Sequence, residues 1–149
     1  MDVVHHAGAP YAAMIRVEER IDFDPALREL VRLRASQING CAYCIDMHWP
    51  EARAAGQSEE RLAQLAAWRE SPFFDERERA ALALTEAVTH VSETHVPDEI
   101  WAEAEAHFAP DELAHMLFQI AAINVWNRIA VSTRALPAGY VARNGQDAG

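Results

Sequence analysis

The chain contains no lysine, so all 13 of its basic residues are arginines against 23 aspartates and glutamates, and the formal charge is −10. That balance argues against a nucleic-acid backbone as partner, because such binding is driven by clustered basic side chains that release counterions. There are only six glycines, scattered and never in a GxGxxG arrangement, which leaves nothing to cradle a phosphate or dinucleotide. No apolar run approaches the length of a membrane span, and residues 1–14 lack the basic stretch and apolar core of a signal peptide. The expectation is therefore a cytoplasmic protein with no haem, flavin, nucleotide or other cofactor, no nucleic-acid partner and no membrane partner. Cysteine is just as scarce, two residues in 149. A chain of this size buries enough surface to fold without a disulfide staple, and two cysteines three positions apart would close too small a loop to stabilise it much.

What is present is helix-forming. Half of the residues are hydrophobic and 24% are charged, a composition suited to one globular domain. Ala, Leu, Glu and Arg dominate, and apolar residues recur at helical spacing, so the fold class expected is all-α. Asp24 and Pro25 open a helix with Leu27, Leu30, Val31 and Ile38 on one face, and Asn39-Gly40 closes it. A second runs from near Cys41 to about Ala55, stopped by Gly56, with a kink expected at Pro50. Ser58 caps a third, carrying Leu62, Leu65 and Trp68. Asp75 opens a fourth, with Ala80, Leu84, Ala87, Val88 and Val91 on one stripe. Pro97 begins a fifth that reaches about Phe108, and Pro110-Asp111 starts the last and longest. Residues 116–131 are apolar nearly all round, which implies burial on several faces and cover from a second subunit. Nothing divides the chain, so residues 1–149 read as a single domain with its core at about 20–140 and frayed ends at 1–8 and 143–149.

The chemistry is concentrated in Cys41-Ala42-Tyr43-Cys44, with His48 four residues beyond the second cysteine. In a reducing compartment a CxxC pair is catalytic or metal-binding more often than structural. A helix starting after Gly40 presents unpaired N–H groups and a partial positive charge to these sulfurs, which favours thiolate over thiol. His48, at i+4 from Cys44, shares its helical face and can accept or return a proton. Such a dithiol can be oxidised through a sulfenic acid or by disulfide exchange.

The segment 29–48, ELVRLRASQINGCAYCIDMH, resembles the signature of the alkylhydroperoxidase AhpD-like proteins of the carboxymuconolactone decarboxylase superfamily. In that register a Glu stands twelve positions before the first cysteine and a His four after the second, which Glu29, Cys41, Cys44 and His48 match. ARAAGQSEERL (52–62), WRESPFFDERERAALALTEAVTH (68–90) and AAINVWNR (121–128) extend the likeness to about 27–131. The resemblance implies a thiol-dependent peroxidase that reduces a small-molecule organic hydroperoxide. Cys44 would be the peroxidatic thiol, Cys41 the resolving thiol, and Glu29 with His48 a proton relay. It also implies a thiol or lipoyl-type reductant and a homo-oligomer, commonly a trimer or hexamer. The superfamily's decarboxylases lack the CxxC, so the cysteines favour its redox branch. One position departs, since members with peroxidase character carry His between the cysteines and this chain carries Tyr43.

Three other readings of the pair stay open: a thiol–disulfide reductase, a redox sensor without turnover, and zinc held by Cys41, Cys44 and His48. The last is one ligand short, and His90, His95, His107 and His115 show no ligand-like spacing to it. By sequence alone, Glu29 reads as a solvated charge among Arg28, Arg32 and Arg34. Tyr43, Asn124, Asn127 and Trp126 are the candidate pocket residues, and Trp49 reads as core. Asn124, Asn127 and Arg128 interrupt an apolar helix and need partners wherever they are buried.

Overall fold

The computed structural model describes residues 1–140, and among these every regular element is helical. The expectation about 143–149 lies outside the described residues. In chain order the helices are α1 (Val3–His6), α2 (Gly8–Glu18), α3 (Pro25–Ile38), α4 (Ala42–Ala54), α5 (Glu59–Ala63), α6 (Glu76–Thr89), α7 (Val91–Thr94), α8 (Asp98–His107) and α9 (Pro110–Thr133), with a short 3₁₀ turn, Leu65–Ala67, after α5. None is long and apolar enough to cross a membrane.

Helix α3 is the hub, packed against α4, α6 and α9, with α6 also against α8 and α9. Leu30, Val31 and Leu33 of α3, Leu82 and Leu84 of α6, and Met116, Ile120 and Ile123 of α9 are sealed from solvent at 1% exposure or less. Burying one such side chain contributes about 1.5–3 kcal/mol, so this three-helix seam fixes the position of everything docked on it.

The start and stop signals act as their chemistry requires. The Asp24 carboxylate accepts from the Leu27 N–H, Ser58 from Arg61, and Asp75 from Glu78, whose own side chain accepts from the Asp75 N–H in a capping box. At the end of α3 the Cys41 N–H donates to the Ser36 carbonyl and the Gly40 N–H to Gln37, with Gly40 at φ +65°. That is a Schellman closure. It turns the chain so that α4 begins one residue later against α3.

Several expectations are corrected. The N-terminal end is helical where fraying was expected: the Asp2 carboxylate caps α1, and α2 lies along α9, held by Tyr11 stacked edge-on against Trp126 at 5.0 Å between ring centres. Neither α1 nor α2 contains a buried residue, and the buried core begins at Ile21. The third predicted helix is only α5, because the chain tightens into the 3₁₀ turn to bury Leu62, Leu65 and Trp68 together. Helix α6 stops at Thr89, so Val91 falls beyond the stripe and is 49% exposed. On α9, Phe118, Val125 and Val131 stay exposed, so a single chain does not cover all of its apolar faces.

Candidate functional site: a buried CxxC beside a histidine and two carboxylates

Cys41 is the N-cap of α4 and Cys44 lies in its first turn, where the Cys44 N–H points at the Cys41 sulfur, 3.3 Å away. The two sulfurs form a disulfide, so this is the oxidised form of the pair. Both cysteines are 1% exposed and packed with Ala130, Ala135 and Tyr43. Ala135 arrives there because α9 ends in a left-handed residue, Arg134 (φ 58°), which turns the following chain back over the sulfurs. The Gly139 N–H then donates to the Asp46 carboxylate on α4 at 3.1 Å.

One turn beyond Cys44, His48 is buried, and its Nδ1 faces two carboxylates. Glu51 Oε2 makes the directed hydrogen bond at 2.8 Å, while Glu29 Oε2 stands 3.2 Å away as a second carboxylate partner of the ring. Glu29 comes from α3 across the α3–α4 contact, is 5% exposed, and receives Arg32 Nη1 on its other oxygen at 2.8 Å. Arg32 also reaches Glu18 at 3.4 Å. Burial by itself would push the Glu29 carboxyl up; the adjacent His48 ring and Arg32 outweigh burial and hold it below its ordinary value. A charge that reads in the sequence as solvated is thus an ionised group in the interior, paired with a guanidinium and facing an imidazole.

A cavity of about 430 Å³ opens onto this group. Cys44, His48, Glu51 and Arg32 form its polar floor, Tyr43, Trp126, Ile129 and Met47 its sides, and Val3, Val4 and Ile15 of the first two helices its far wall. Cys44 lines the cavity, whereas Cys41 is not among its lining residues. Of the four residues of the sequence register, Cys44 and His48 line this cavity together with Tyr43 and Trp126, Cys41 is joined to Cys44 by the disulfide, and Glu29 meets His48 at 3.2 Å. Trp49 is half-buried against the hydrophobic core.

Asn124 and Asn127, expected at the pocket, are corrected. They sit in a polar seam between α9, α3 and α6, where the Asn39 amide donates to both side-chain oxygens at 2.9 and 2.8 Å. Asn127 donates to the Ser36 hydroxyl and Asn124 to the Thr89 hydroxyl. Their amides are taken up by these partners, and Arg128 donates to Asn124. Sequence reasoning missed Glu51, Arg32 and the N-terminal wall. Glu51 could have been found, since it lies at i+3 from His48 on the same helix.

A helical domain carrying a buried CxxC with a histidine and carboxylates defines the class, a dithiol protein of the AhpD-like kind. The model of the Carboxymuconolactone decarboxylase family matches residues 10–87, and the chain belongs to this family. It is 42% identical over 105 residues to the uncharacterized protein YdfG of Bacillus subtilis (strain 168), covering 70% of this chain and 71% of that one. It is 33% identical over 98 residues to YnjA of Escherichia coli (strain K12), also uncharacterized, covering 66% of this chain and about half (53%) of that one. A crystal structure from Agrobacterium tumefaciens, of a protein of unknown function proposed to be the antioxidant-defence protein AhpD, superposes with a TM-score of 0.89 at 38% identity. That match covers 92% of this chain and 96% of the other. The debrominase Bmp8 shares the fold at a TM-score of 0.73 and 18% identity over 89% of this chain and 71% of its own. Family membership and the Agrobacterium neighbour support a peroxidase-like role at the level of the family.

Proposed function

We propose that this protein is a thiol-dependent peroxidase that reduces organic hydroperoxides through Cys44 and Cys41. The observation that carries the reading is the joint burial, on one largely apolar cavity, of a cysteine at a helix N-terminus and a histidine backed by the ionised Glu29 and by Glu51. In the reduced protein the Cys44 thiol gives its proton to His48, whose Nδ1 side is held by the carboxylates, leaving Nε2 for this exchange. The thiolate attacks the terminal peroxide oxygen, the O–O bond breaks, and the departing alkoxide takes the proton from His48. Cys44 is then a sulfenic acid. The Cys41 thiol attacks its sulfur, water leaves, and the disulfide seen here forms. A dithiol reductant of the thiol or lipoyl type returns the pair to its starting state. Protons balance over the cycle: dithiol and hydroperoxide give disulfide, alcohol and water. The apolar walls suit an alkyl or aryl hydroperoxide. The reading places the protein in a reducing compartment, the cytoplasm, as a homo-oligomer.

Stopped-flow consumption of cumene hydroperoxide by the reduced protein tests this. Rapid loss of both thiols is expected, abolished by Cys44→Ser and slowed about 100-fold or more by His48→Ala. Cys41→Ser should react once and stop at the sulfenic acid. Negligible peroxide consumption by the unaltered chain would overturn the proposal.

A further inference from the structure

The relay uses Glu29 and His48, yet three electron-pair donors converge at this point. One donor atom from each of Glu29, His48 and Glu51 lies within 4.8 Å of the other two, and His48 Nδ1 stands 3.2 Å from Glu29 Oε2 and 2.8 Å from Glu51 Oε2. At most one proton sits on Nδ1, and the directed hydrogen bond from it goes to Glu51. Glu29 Oε2 is consequently a buried carboxylate oxygen without a directed hydrogen bond, in contact with His48 Nδ1 at 3.2 Å. An acceptor left unsatisfied at this depth is costly unless something positive shares the site.

We infer that Glu29, His48 and Glu51 form a binding site for one divalent first-row metal ion of the zinc type. Donors about 2.0–2.2 Å from a tetrahedral zinc stand roughly 3.3 Å apart, close to the 3.2 and 2.8 Å that separate Nδ1 from the two carboxylates. One imidazole and two carboxylates suit zinc or cobalt, whereas calcium requires six or more oxygens. The charges match, two carboxylates against a dication. Arg32 opposes an ion: its Nη1 is bonded to the other oxygen of Glu29 at 2.8 Å and stands 3.9 Å from Glu51 Oε2, so a bound metal displaces the Arg32–Glu51 contact and leaves the guanidinium to Glu29 Oε1 and to Glu18 at 3.4 Å. His48 and Glu51 both line the cavity, so the fourth position faces solvent rather than protein. The cysteines take no part, which separates this site from zinc on Cys41, Cys44 and His48. A metal on Nδ1 fixes the one ring proton of neutral His48 on Nε2, the nitrogen that must be free to accept the Cys44 proton. On the peroxidase reading, metal loading and dithiol turnover are therefore mutually exclusive.

The test uses the full chain in its disulfide form, whose sulfurs cannot act as thiolate ligands. Calorimetry with zinc should give one ion per chain, weakened at least ~10-fold by Glu51→Ala at the helix surface and lost in His48→Ala. Circular dichroism would verify that both variants fold. Cobalt in place of zinc should give tetrahedral visible bands without a thiolate charge-transfer band. Absence of binding, or equal binding by Glu51→Ala, overturns the site. In the reduced protein, zinc should slow peroxide consumption by the unaltered chain, and the ratio of rates with and without zinc should return toward one in Glu51→Ala. A chain that binds zinc when oxidised but never consumes peroxide would refute the peroxidase reading and leave the metal site standing.

Discussion

At the scale of single residues the decisive feature is Glu29, an ionised carboxylate at 5% exposure between an imidazole and a guanidinium. Replacing it by Gln keeps the shape and removes the charge. Arg32 would then be left with Glu18 at 3.4 Å and Glu51 at 3.9 Å. The expected cost is about 1–3 kcal/mol, read as a lower urea midpoint, together with slower oxidation of the reduced protein by hydroperoxide. Undiminished stability would show that Arg32 does not depend on Glu29. None of this burial was legible in local sequence, where Glu29 stands in a run of arginines on an amphipathic helix; only the resemblance to the AhpD-like register pointed to it. His48 and Cys44 were legible because i+4 spacing on one helix is local geometry. Asn124 and Asn127 were misplaced because a polar residue on an apolar helix signals only that partners exist. Which partners they are depends on Asn39, Ser36 and Thr89, brought in from α3 and α6 by the tertiary packing.

At the scale of elements, the closure between α3 and α4 sets where the cysteines sit, and it rests on Gly40 in the left-handed region at φ +65°. A Cβ added there meets no atom within 4 Å, so Gly40→Ala should cost only backbone strain, about 1–2 kcal/mol, seen in urea unfolding with an unchanged m-value. A much larger loss would mean that the turn and the cysteine pair unfold together. A second joint is Glu86 of α6, which accepts from Arg34 of α3 at 2.8 Å, Trp68 Nε1 at 2.8 Å and Arg69 at 2.7 Å. Burial raises its carboxyl, but the bonds from Trp68, Arg69 and Arg34 outweigh it and hold the carboxyl below its ordinary value. The unfolded chain therefore binds this proton first. The stabilisation is complete above the ordinary glutamate range and is lost as pH falls through the folded value. Glu86→Gln should thus be less stable than the unaltered chain near neutrality, by about 2 kcal/mol, and the gap should narrow in acid. A gap independent of pH would exclude the charge as its source. Helix ends with Asp, Ser, Pro or Gly signals were readable from sequence for the same local reason. Helix α2 was not, because Ala7 offers no side-chain cap and α2 buries no residue fully, so what holds it is its contact with α9.

At the scale of the whole molecule, α9 carries apolar residues on more faces than one chain can bury. Phe118 and Val125, at i and i+7 on the same face, are 62% and 37% exposed. Phe118 also borders an open groove between α2 and α9, about 490 Å³ in volume, with Arg16, Arg20 and His115 on its walls and no carboxylate among its lining residues. Copies of a chain with a net charge of −10 repel one another through most of their surfaces, and this is a face where that repulsion is locally reversed. Self-association through it would bury Phe118 and bring the arginines toward the acidic surface of a neighbour. The proposed homo-oligomer should accordingly appear in light scattering as a multiple of 16.6 kDa, and Phe118→Glu should reduce it to that mass while leaving the helical content unchanged. Persistence of the full assembly in Phe118→Glu would place the interface elsewhere. Because α2 also forms a wall of the cysteine cavity through Tyr11 and Ile15, dissociation should loosen that wall. The variant's KM for cumene hydroperoxide is expected to rise more than its kcat falls, since the sulfurs and His48 are carried by α4, which packs on α3 rather than on the groove.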